Sequence, residues 1–586
     1  MNAPLNSTVK RLSLWDQVAP RNYSTKALCF PFDGDGPDSE KAEEAATHVR
    51  ASLSRLAKQR PDLAGRLELD SDGVHVVLRE SPDFSIPFTV MRVPFKTSYA
   101  QLAADGFPAG VFVDPRLVLA GGVLEKGGDP VPASQVRALF IQGGLLLLMS
   151  MHHAYVDGGA FSQFIECVAA QTTGTPLDGP SNYQLDLMSL TANKDDANKP
   201  FDELLAGCGE YMLLPEPTGP TQPWIPPMPP SFSNAANIMS DNTGTIFVFS
   251  TKKLEDLCYS LRWASLDKLN WKPSKYAALA GLAWAHVARA RLAADRELAE
   301  CFESERPRFS NPVNWVAANK DEAATVDASY FGNKITWASH TAESTGQLIS
   351  ACGNTDKLRA VVRGISAANW AVDMAHVGRR TAMFGAAPDI RRVGLVFDPR
   401  VPQSLGFNSW AHTGGINTAW DIPGLPEPRY KPDAVRRVQA FYRASGGLIQ
   451  PTRPELNRWE LLLILPARAV EILLEDGEWM RWVDRVGMES ESDSDLDDII
   501  IIRRDVFDFN PDSILPEPEQ VLDEIRSWLA PTEYNGQASE HQKHLSSRLT
   551  STGTWAVSCD DYCDWHQGRD HGILLVRGIP GGWAAW

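Results

Sequence analysis

The sequence predicts an α+β fold that is built from more than one domain. Helical and strand-like patterns mix along the chain without strict strand–helix–strand alternation, which favours layered α+β domains over a parallel sheet. The 586 residues exceed what one hydrophobic core ordinarily holds. A hydrophobic content of 43% and a charged content of 22% are typical of a globular protein.

The first predicted domain covers residues 1–185 and contains both helices and strands. Apolar residues recur at helical spacing over Asp38–Ala57, which predicts one long helix. Val136–Met151 predicts a β-hairpin that turns at Gly143 and Gly144, since paired glycines favour tight turns. The other predicted elements are a helix end leading into a strand at Pro61–Leu67, strands at Val74–Leu78 and Phe84–Val90, and helices at Thr97–Ala104 and Ala160–Ala170.

The rest of the chain divides into a linker, a second domain and a tail. From residue 182 to 242 the periodic pattern collapses, and residues 186–242, with a proline-rich stretch at Pro215–Pro230, predict a crossover linker over the surface. Residues 243–487 form the second α+β domain. Residues 488–586 begin with an acidic Ser/Asp/Glu stretch typical of disorder and form an extension. The second domain is predicted to hold a helix at Lys275–Ala293 with Ser274 as N-cap, strands at Thr245–Phe249, Lys334–Ala338, Gly394–Phe397, Ala440–Tyr442 and Trp459–Leu465, and closing helices between Pro466 and Val486.

Charge and cysteine usage argue against several classes of function. A net charge of −17 without a Lys/Arg-rich block disfavours nucleic-acid binding. Met1–Gln17 has no apolar signal core, and the longest apolar run, Ala138–Met151, is too short to span a bilayer. Six of the eight cysteines are isolated, which fits reduced thiols. We therefore expect a cytoplasmic, monomeric protein without a membrane span.

The run His152–Gly158 is the strongest chemical signal in the sequence. It joins a strand-like run to a helix-like run, so it sets two histidines and a carboxylate on a tight connection at the end of a buried element. Burying a titratable group without partners destabilises the fold, so titratable groups in this position indicate a structural or functional role. A neutral His153 can act as a general base that takes a proton from a hydroxyl or an amine as that atom attacks an electrophile.

The spacing leaves two other interpretations of this run open. Asp157 can orient His153 directly, as in a catalytic triad. Alternatively, both histidines are satisfied loop residues and Asp157 only caps the helix that follows. The full pattern of two adjacent histidines, Asp157 and Gly158 at a strand-to-helix junction favours the catalytic interpretation.

The same run resembles the HHxxxDG motif of the BAHD-type acyl-CoA-dependent acyltransferases, particularly the fungal members related to trichothecene acetyltransferases. It also resembles the motif of the related condensation domains. Other landmarks of the family follow in the same order, over roughly Arg11–Gly487. They are Leu63-Ala64-Gly65-Arg66, Ser274–Leu279 with Trp284 and Arg289–Arg291, Asn314, Tyr330-Phe331-Gly332-Asn333 and Leu474–Met480.

The resemblance implies two chloramphenicol-acetyltransferase-like halves with the active site in a tunnel at their interface. It implies acyl-CoA as cosubstrate, a small-molecule alcohol as acceptor, no bound cofactor and no metal. His153 matches the family's general base, and Asp157 matches a structural aspartate that holds the loop through an arginine. Gly158 matches the glycine that keeps the channel open. We expect transfer of an acyl group, acetyl above all, to a hydroxyl of a secondary metabolite.

The family's second motif, D-F-G-W-G, is altered in this sequence. The landmark that precedes it is present as Asn408-Ser409-Trp410, and the motif itself corresponds to Trp420–Pro426. Its Asp and one Gly match, whereas Ile422-Pro423 replaces Phe-Gly and one position is missing. The further candidates for the substrate and CoA channel are Trp410, His412 and Trp420.

The tail contains four residues of metal-ligand type, Cys559, Cys563, His566 and His571. Their spacing is not that of a common zinc finger, and no apolar pattern around them indicates a folded module. We therefore predict no metal site.

Two rival functions stay open at this point. One is a condensation-type enzyme that takes its acyl group from a carrier protein, although the chain carries no carrier-like domain. The other is a non-catalytic binding protein on the same scaffold.

Overall fold

The computed structural model describes residues 7–119, 122, 124–177, 196, 198–215, 242–263, 271–318, 330–412, 415–442, 444–487, 499–502 and 574–577. The chain divides into two compact units, Met1–Glu489 and Ser490–Trp586. The predicted linker lies largely outside the described residues, and the tail residues Cys559, Cys563, His566 and His571 lie wholly outside them.

The first unit contains seventeen described strands. They are β1 Thr8–Arg11, β2 Tyr23–Asp35, β3 Arg66–Leu69, β4 Val76–Glu80, β5 Phe88–Met91, β6 Val131–Pro132, β7 Ser134–His152, β8 Tyr211–Leu213, β9 Asn242–Ser250, β10 Arg308–Asn314, β11 Ile335–Thr341, β12 Val393–Leu395, β13 Leu405–Ser409, β14 Ala434–Val438, β15 Gly446–Gln450, β16 Arg458–Pro466 and β17 Arg485–Gly487. In the second unit, β18 Ile499–Ile502 pairs antiparallel with β19 Leu574–Arg577.

Helices cover the faces of the sheets. The α-helices are α1 Leu14–Gln17, α2 Glu40–Gln59, α3 Tyr99–Ala104, α4 Gly158–Thr172, α5 Phe201–Ala206, α6 Thr251–Trp263, α7 Lys275–Ala294, α8 Arg296–Cys301, α9 Trp315–Ala318, α10 Thr345–Ile349, α11 Thr355–Trp370, α12 Met374–Ala386, α13 Ala467–Glu475 and α14 Gly477–Met480. Short 3-10 helices occupy Ala109–Phe112, Pro115–Leu117, Ser350–Gly353, Ile390–Arg392 and Pro454–Leu456. Among the described residues, no helix is both long enough and apolar enough to cross a membrane.

Two large sheets organise the first unit. The N-terminal sheet has the strand order β14-β2-β7-β5. A smaller sheet, with the order β1-β4-β3-β6, is formed by other strands of the N-terminal half. The C-terminal sheet has seven strands in the order β11-β10-β13-β15-β16-β9-β17. Each large sheet has its own hydrophobic core, because α2 and α4 pack on the first and α7, α11 and α13 pack on the second. The sequence-based prediction of an α+β fold is therefore confirmed.

Local sequence explains the long helices. Ser39 caps α2 by accepting a hydrogen bond from the Ala42 amide at 3.2 Å, and the apolar face predicted over Asp38–Ala57 is buried. Ser274 caps α7 in the same way, through the Ala277 amide at 3.1 Å. The serine N-cap that the sequence indicates at this helix is confirmed.

The hairpin predicted over Val136–Met151 is wrong, because these residues belong to one 19-residue strand, β7. A two-residue type I′ turn needs positive φ at both central positions, and here Gly143 has φ +73° whereas Gly144 does not share that conformation. Gly144 instead admits the Tyr99 ring, which would come within 2.4 Å of a Cβ there. The glycine pair therefore marks a close approach and a register irregularity opposite Pro31–Asp35, and the chain does not reverse.

Two other sequence-based expectations also need correction. Residues 198–215, expected to be irregular, contain α5 and β8, and the latter pairs with β12. The strand predicted at Ala440–Tyr442 is absent, since the nearby strands are β14 and β15. In both places the structure depends on pairing with distant segments, which short-range periodicity does not report.

The C-terminal half of the unit contributes one strand to the N-terminal sheet. Strand β14 pairs antiparallel with β2, from Ala434 opposite Cys29 to Val438 opposite Thr25. On β14, the buried Arg436 donates to Glu460 of β16 at 2.8 Å and to the Phe107 carbonyl at 2.8 Å. This strand and its ion pair therefore join the two sheets.

Candidate active site

The predicted motif lies on a tight connection, as expected. Strand β7 ends at His152 and helix α4 begins at Gly158. His152 is fully buried, with Nε2 2.9 Å from the Gly122 carbonyl oxygen and Nδ1 accepting from the Ala154 amide at 3.3 Å. Burial lowers the pKa of His152 to about 4. This histidine is therefore a neutral structural residue that fixes the end of the strand.

His153 is held by its main chain, and no other described residue forms a hydrogen bond with its ring. Its amide donates to the Asn22 carbonyl at 2.8 Å. Its side chain is half-buried, and its Nδ1 is buried without a hydrogen-bond partner in the described chain. Burial lowers the pKa of His153, an effect that its own backbone and Asp157 oppose and that Arg437 and Lys26 reinforce. The imidazole is therefore neutral near pH 7, which is the state that a general base needs.

Asp157 fastens the loop through two backbone amides. Its Oδ1 accepts from Ala160 at 2.8 Å, which caps α4, and its Oδ2 accepts from Lys334 at 2.8 Å. The structure thus differs from the arginine partner that the resemblance implies, because the anionic oxygens are satisfied by main-chain donors. Within the described chain, neither oxygen hydrogen-bonds to His153, so the geometry does not support a triad.

The segment Tyr330–Lys334, which carries the Tyr-Phe-Gly-Asn landmark, holds the same loop from the C-terminal half of the chain. Asn333 Nδ2 donates to the His153 carbonyl at 3.1 Å and to Asp16 Oδ1 at 2.8 Å. The Phe331 ring packs on the Tyr155 ring with centroids 5.4 Å apart. Together with the Lys334 amide, these contacts fix the loop at three points.

A buried ion pair supports the loop from the N-terminal half. Tyr155 donates to Asp62 Oδ2 at 2.9 Å, and Asp62 accepts two hydrogen bonds from Arg60, at 2.9 and 2.6 Å. The Arg60 guanidinium in turn lies 4.9 Å from the centroid of the Phe331 ring. An arginine therefore does brace the loop, but it acts through Tyr155 and Asp62.

A lysine that the sequence analysis missed lies beside this loop. Lys26 of β2 is fully buried, and its ammonium is 4.6 Å from the centroids of both the Phe161 and Trp410 rings. Phe161 belongs to α4 and Trp410 follows β13, so this lysine joins the two halves. A sequence signal for it exists: Lys26 shares one strand face with Leu28 and Phe30, and a lysine interrupts that apolar face.

A cavity of about 550 Å³ opens on the C-terminal sheet near these residues. It is lined by Tyr276, Asn311, Pro312, Val313, Ala318, Asn369, Trp370, Val372, Asn408 and Ser409. Two of its walls come from the parallel strands β10 and β13. Strand β10 ends at Asn314, whose side-chain amide is 3.7 Å from the Cβ position of Gly159 in α4. Strand β10, which lines the cavity, therefore reaches the start of α4 directly after the His152–Gly158 loop.

The remaining predicted site residues separate into two groups. Gly158 opens α4 and is half-buried, Trp410 covers Lys26, and His412 is exposed two residues further on. Their roles in a channel stay predictions. The prediction that Trp420 lines the channel is wrong, because Trp420 is fully buried and packs edge-on against Phe30 in the hydrophobic core. A side chain without exposed surface does not line an open channel.

The altered second motif lies at the far end of α4. The Asp421 amide donates to Thr172 Oγ1 at 3.2 Å, and Thr172 is the last residue of that 15-residue helix. Fifteen residues span about 22 Å, so Asp421 is remote from Asp157 at the helix start. Gly424 has φ +90° and admits the Phe32 ring at 2.4 Å from its Cβ position. The segment is a packing element of the N-terminal half.

Metal chemistry finds no support in the described chain. No group of three or more His, Cys, Asp and Glu side chains there has the arrangement of a metal site. The six cysteines of the described ranges are all free thiols.

Known proteins share both the motif region and the overall architecture. Residues 23–170 match the family model of the trichothecene 3-O-acetyltransferase-like N-terminal domain. The eremophilane O-acetyltransferase ORF8 of Penicillium roqueforti is 26% identical over 363 residues, which cover 55% of this chain and 69% of that protein. The trichothecene 3-O-acetyltransferase TRI101 of Fusarium sporotrichioides is 24% identical over 491 residues, 79% of this chain and 94% of that protein.

Solved structures extend the likeness to the fold. The apo structure of F. graminearum TRI101 matches with a TM-score of 0.62 at 19% identity, covering 82% of this chain and all of that chain (100%). The fold and the loop thus define a two-domain protein of the chloramphenicol-acetyltransferase-like class with an HHxxxDG motif. Within that class, the sequence similarity is to fungal O-acetyltransferases of the trichothecene 3-O-acetyltransferase-like type, which resemble the BAHD-type acyltransferases.

Proposed function

We propose that the protein transfers an acyl group, acetyl above all, from a CoA thioester to a hydroxyl of a small secondary metabolite. The observation that carries this proposal is His153, a neutral imidazole with no side-chain partner, on a loop that both halves of the chain hold in place. A rigid neutral base suits proton removal from a bound alcohol.

In this reaction, His153 takes the proton of the acceptor hydroxyl as its oxygen attacks the thioester carbonyl. The tetrahedral intermediate then expels the CoA thiolate, and His153 returns the proton to the departing sulfur. The acyl group thereby moves from sulfur to oxygen without an external oxidant or reductant. A general base of this kind contributes about two to four orders of magnitude to the rate.

Donor and acceptor are inferred from the cavity and from the relatives. A solved structure of F. sporotrichioides TRI101, with a TM-score of 0.58, holds Coenzyme A and T-2. We assign the thioester donor to the cavity on the C-terminal sheet, whose strand β10 reaches the start of α4, and we place the acceptor between the two halves. Both ligands then reach His153 through a tunnel at the interface.

The setting of the reaction follows from the same chain. We infer a cytoplasmic enzyme, since the described cysteines are unpaired thiols, and a monomer, since the site is assembled within one chain. The cosubstrate is acyl-CoA, and His153 works without a bound cofactor or metal.

The test is a transfer assay with the full chain. Isotope-labelled acetyl-CoA is offered with a panel of terpenoid and alkaloid alcohols, and free CoA thiol and labelled ester are measured together. Stoichiometric formation of both supports the proposal. Transfer from an acyl-carrier protein but not from acyl-CoA would favour the condensation-type reaction. Tight acceptor binding without any thiol release would favour a binding protein.

A further inference from the structure

Two cations lie side by side on the face of the N-terminal sheet that borders the loop. Lys26 of β2 and Arg437 of β14 are register partners, so their side chains leave the sheet on the same face. The neighbour of Lys26 on its other side is Met149 of β7, three residues before His152. Lys26 therefore lies on the strand next to β7, which leads into the loop with the proposed base, and Arg437 lies one strand further away.

Lys26 is a buried cation without a hydrogen-bond acceptor. Its side chain has no exposed surface, and its Nζ has no partner in the described chain. Two aromatic faces, Phe161 and Trp410, attract the ammonium but accept no ordinary hydrogen bond. Burial lowers the pKa of Lys26 to about 7, and the Asp157 charge partly opposes this. Burying an unpaired ammonium at this position destabilises the folded state, and an anion beside it would reduce that destabilisation.

Arg437 is the accessible member of the pair. Its side chain is exposed, and desolvation by the surrounding protein lowers its pKa. No described residue forms an ion pair or a side-chain hydrogen bond with it. It is close enough to His153 to lower the pKa of that imidazole. An accessible guanidinium with free donors is suited to bidentate recognition of an anion.

The protein does not supply that anion from its own described residues. Asp157 acts on Lys26 and His153, and both of its oxygens already accept backbone amides, whereas no described carboxylate pairs with Arg437. The local excess of positive charge favours a negatively charged ligand.

We propose that Arg437, backed by the buried ammonium of Lys26, forms a carboxylate-binding subsite beside His153. Arg437 would bind both carboxylate oxygens, and Lys26 would contribute its charge from the neighbouring strand on the same sheet face. Strand geometry places the Arg437 and His152 Cα atoms about 14 Å apart, so the carboxylate would lie several bonds from the reacting atom. This inference rests on the proposed acyl transfer.

A carboxylate can reach this subsite from either substrate. The acceptor would be a hydroxy acid, or the donor would be the CoA thioester of a dicarboxylic acid. The chemistry of recognition is the same in both cases, and the two sources are separated by exchanging one substrate at a time.

The experiment uses the full chain with three variants. Arg437→Gln removes the guanidinium, Lys26→Met keeps the length of the side chain without its charge, and Arg296→Gln is the control on an exposed helix, α8. In the first arm, acetyl-CoA is offered with a hydroxy acid or with its methyl ester. In the second arm, a neutral alcohol is offered with malonyl-CoA or with acetyl-CoA. Circular dichroism and thermal melting verify that each variant is folded.

The subsite predicts a selective loss. In one of the two arms, Arg437→Gln raises KM for the carboxylate-bearing substrate about tenfold or more, while the ester or acetyl-CoA is unaffected. Lys26→Met gives a smaller shift in the same direction, and Arg296→Gln gives none. The arm that responds identifies whether the acceptor or the donor carries the carboxylate.

Two kinetic results would overturn the subsite. An equal loss for charged and neutral substrates would indicate a general electrostatic role in the transition state. No loss in either arm would leave Arg437 without a ligand role. The proposed function would survive both results, because transfer itself would still occur.

A protein that transfers no acyl group at all contradicts the proposed function instead. Calorimetric titration of the hydroxy acid and its ester then still tests the subsite. Titration of malonyl-CoA and acetyl-CoA tests the donor in the same way. Binding of either carboxylate-bearing ligand that Arg437→Gln abolishes would support the subsite, and equal binding of the charged and the neutral ligand in both pairs would overturn it.

Discussion

The His152–Gly158 loop and the altered segment Trp420–Pro426 both match family motifs, yet they are held in opposite ways. The loop is fastened by polar contacts from both halves, including Asn333, the Lys334 amide and the Asp62–Tyr155 hydrogen bond. The second segment is fixed mainly by apolar burial, since Ile422 and Trp420 lie in the N-terminal core.

These two kinds of contact differ in how far they tolerate substitution. Polar contacts require particular atoms at particular positions, because a lost partner leaves a buried group unsatisfied. Apolar packing tolerates substitutions that preserve volume. The loop therefore carries the proposed base, whereas the second segment contributes apolar packing at the far end of α4.

The largest expected effect separates the two regions by activity. His153→Ala should lower kcat/KM for acyl transfer by at least about a hundredfold, because the base is lost while its backbone contacts remain. Steady-state thiol release measures this, with thermal melting as the check on folding. His75→Ala, a surface histidine beside Asp72, is the matched control and should retain full activity. Normal turnover in His153→Ala would refute the assignment of the base.

A comparison of two helix caps tests whether the loop is positioned by Asp157. Asp157 caps α4 and also accepts the Lys334 amide, whereas Asp373 caps α12 through the His376 amide at 2.7 Å. Each Ala variant should lose about 1 kcal/mol of stability from the cap alone. Asp157→Ala should in addition lower kcat about tenfold, since small displacements of a base are costly. Equal kcat in the two variants would mean that Asp157 acts only as a helix cap and does not position the base.

The pH dependence of stability tests the structural role of the first histidine. The pKa of His152 falls from 6.5 to about 4 on folding, so the unfolded chain binds more protons between these values. Its contribution is therefore present above pH 6.5 and is lost as the pH falls toward 4, with a slope of at most about 1.4 kcal/mol per pH unit.

The variant that tests this is His152→Gln, which keeps a donor for the Gly122 carbonyl. Denaturant unfolding of both proteins between pH 4 and 7 should show a flatter profile for the variant. Parallel profiles would mean that His152 does not carry the linkage. Asp16 acts in the opposite direction, because burial raises its pKa to about 6, and it is common to both proteins.

The smallest effect is expected in the second segment. Asp421 is exposed and contributes its backbone amide to Thr172, so Asp421→Ala should leave kcat and KM within about twofold. The neighbouring Ile422→Ala should instead lower stability by about 2 to 5 kcal/mol without a selective change in kcat. A large activity loss in Asp421→Ala would contradict a purely architectural role for this motif.

The sequence predicts elements with strong periodicity or clear caps, such as α2 and α7, and it locates the His152–Gly158 loop. It misleads at Gly143-Gly144, where a glycine pair serves the Tyr99 ring and not a turn. Lys26 escapes because its importance arises from contacts between segments far apart in sequence, and for the same reason the Tyr330–Asn333 landmark is located without the contact of Asn333 with the loop. The partner of Asp157 is the backbone amide of Lys334. It could not be predicted from the sequence, because every residue except proline has such an amide.

Strand β14 has a consequence for any attempt to recombine such enzymes. By sequence it belongs to the second half, but it completes the sheet of the first half and carries Arg436 to Glu460. A chimera cut between residues 215 and 242 would insert a foreign strand beside β2 and replace both the Arg437 neighbour of Lys26 and the Trp410 ring above it. Exchanging the C-terminal half at this position would therefore also change residues of the N-terminal sheet that lie near the proposed reaction site.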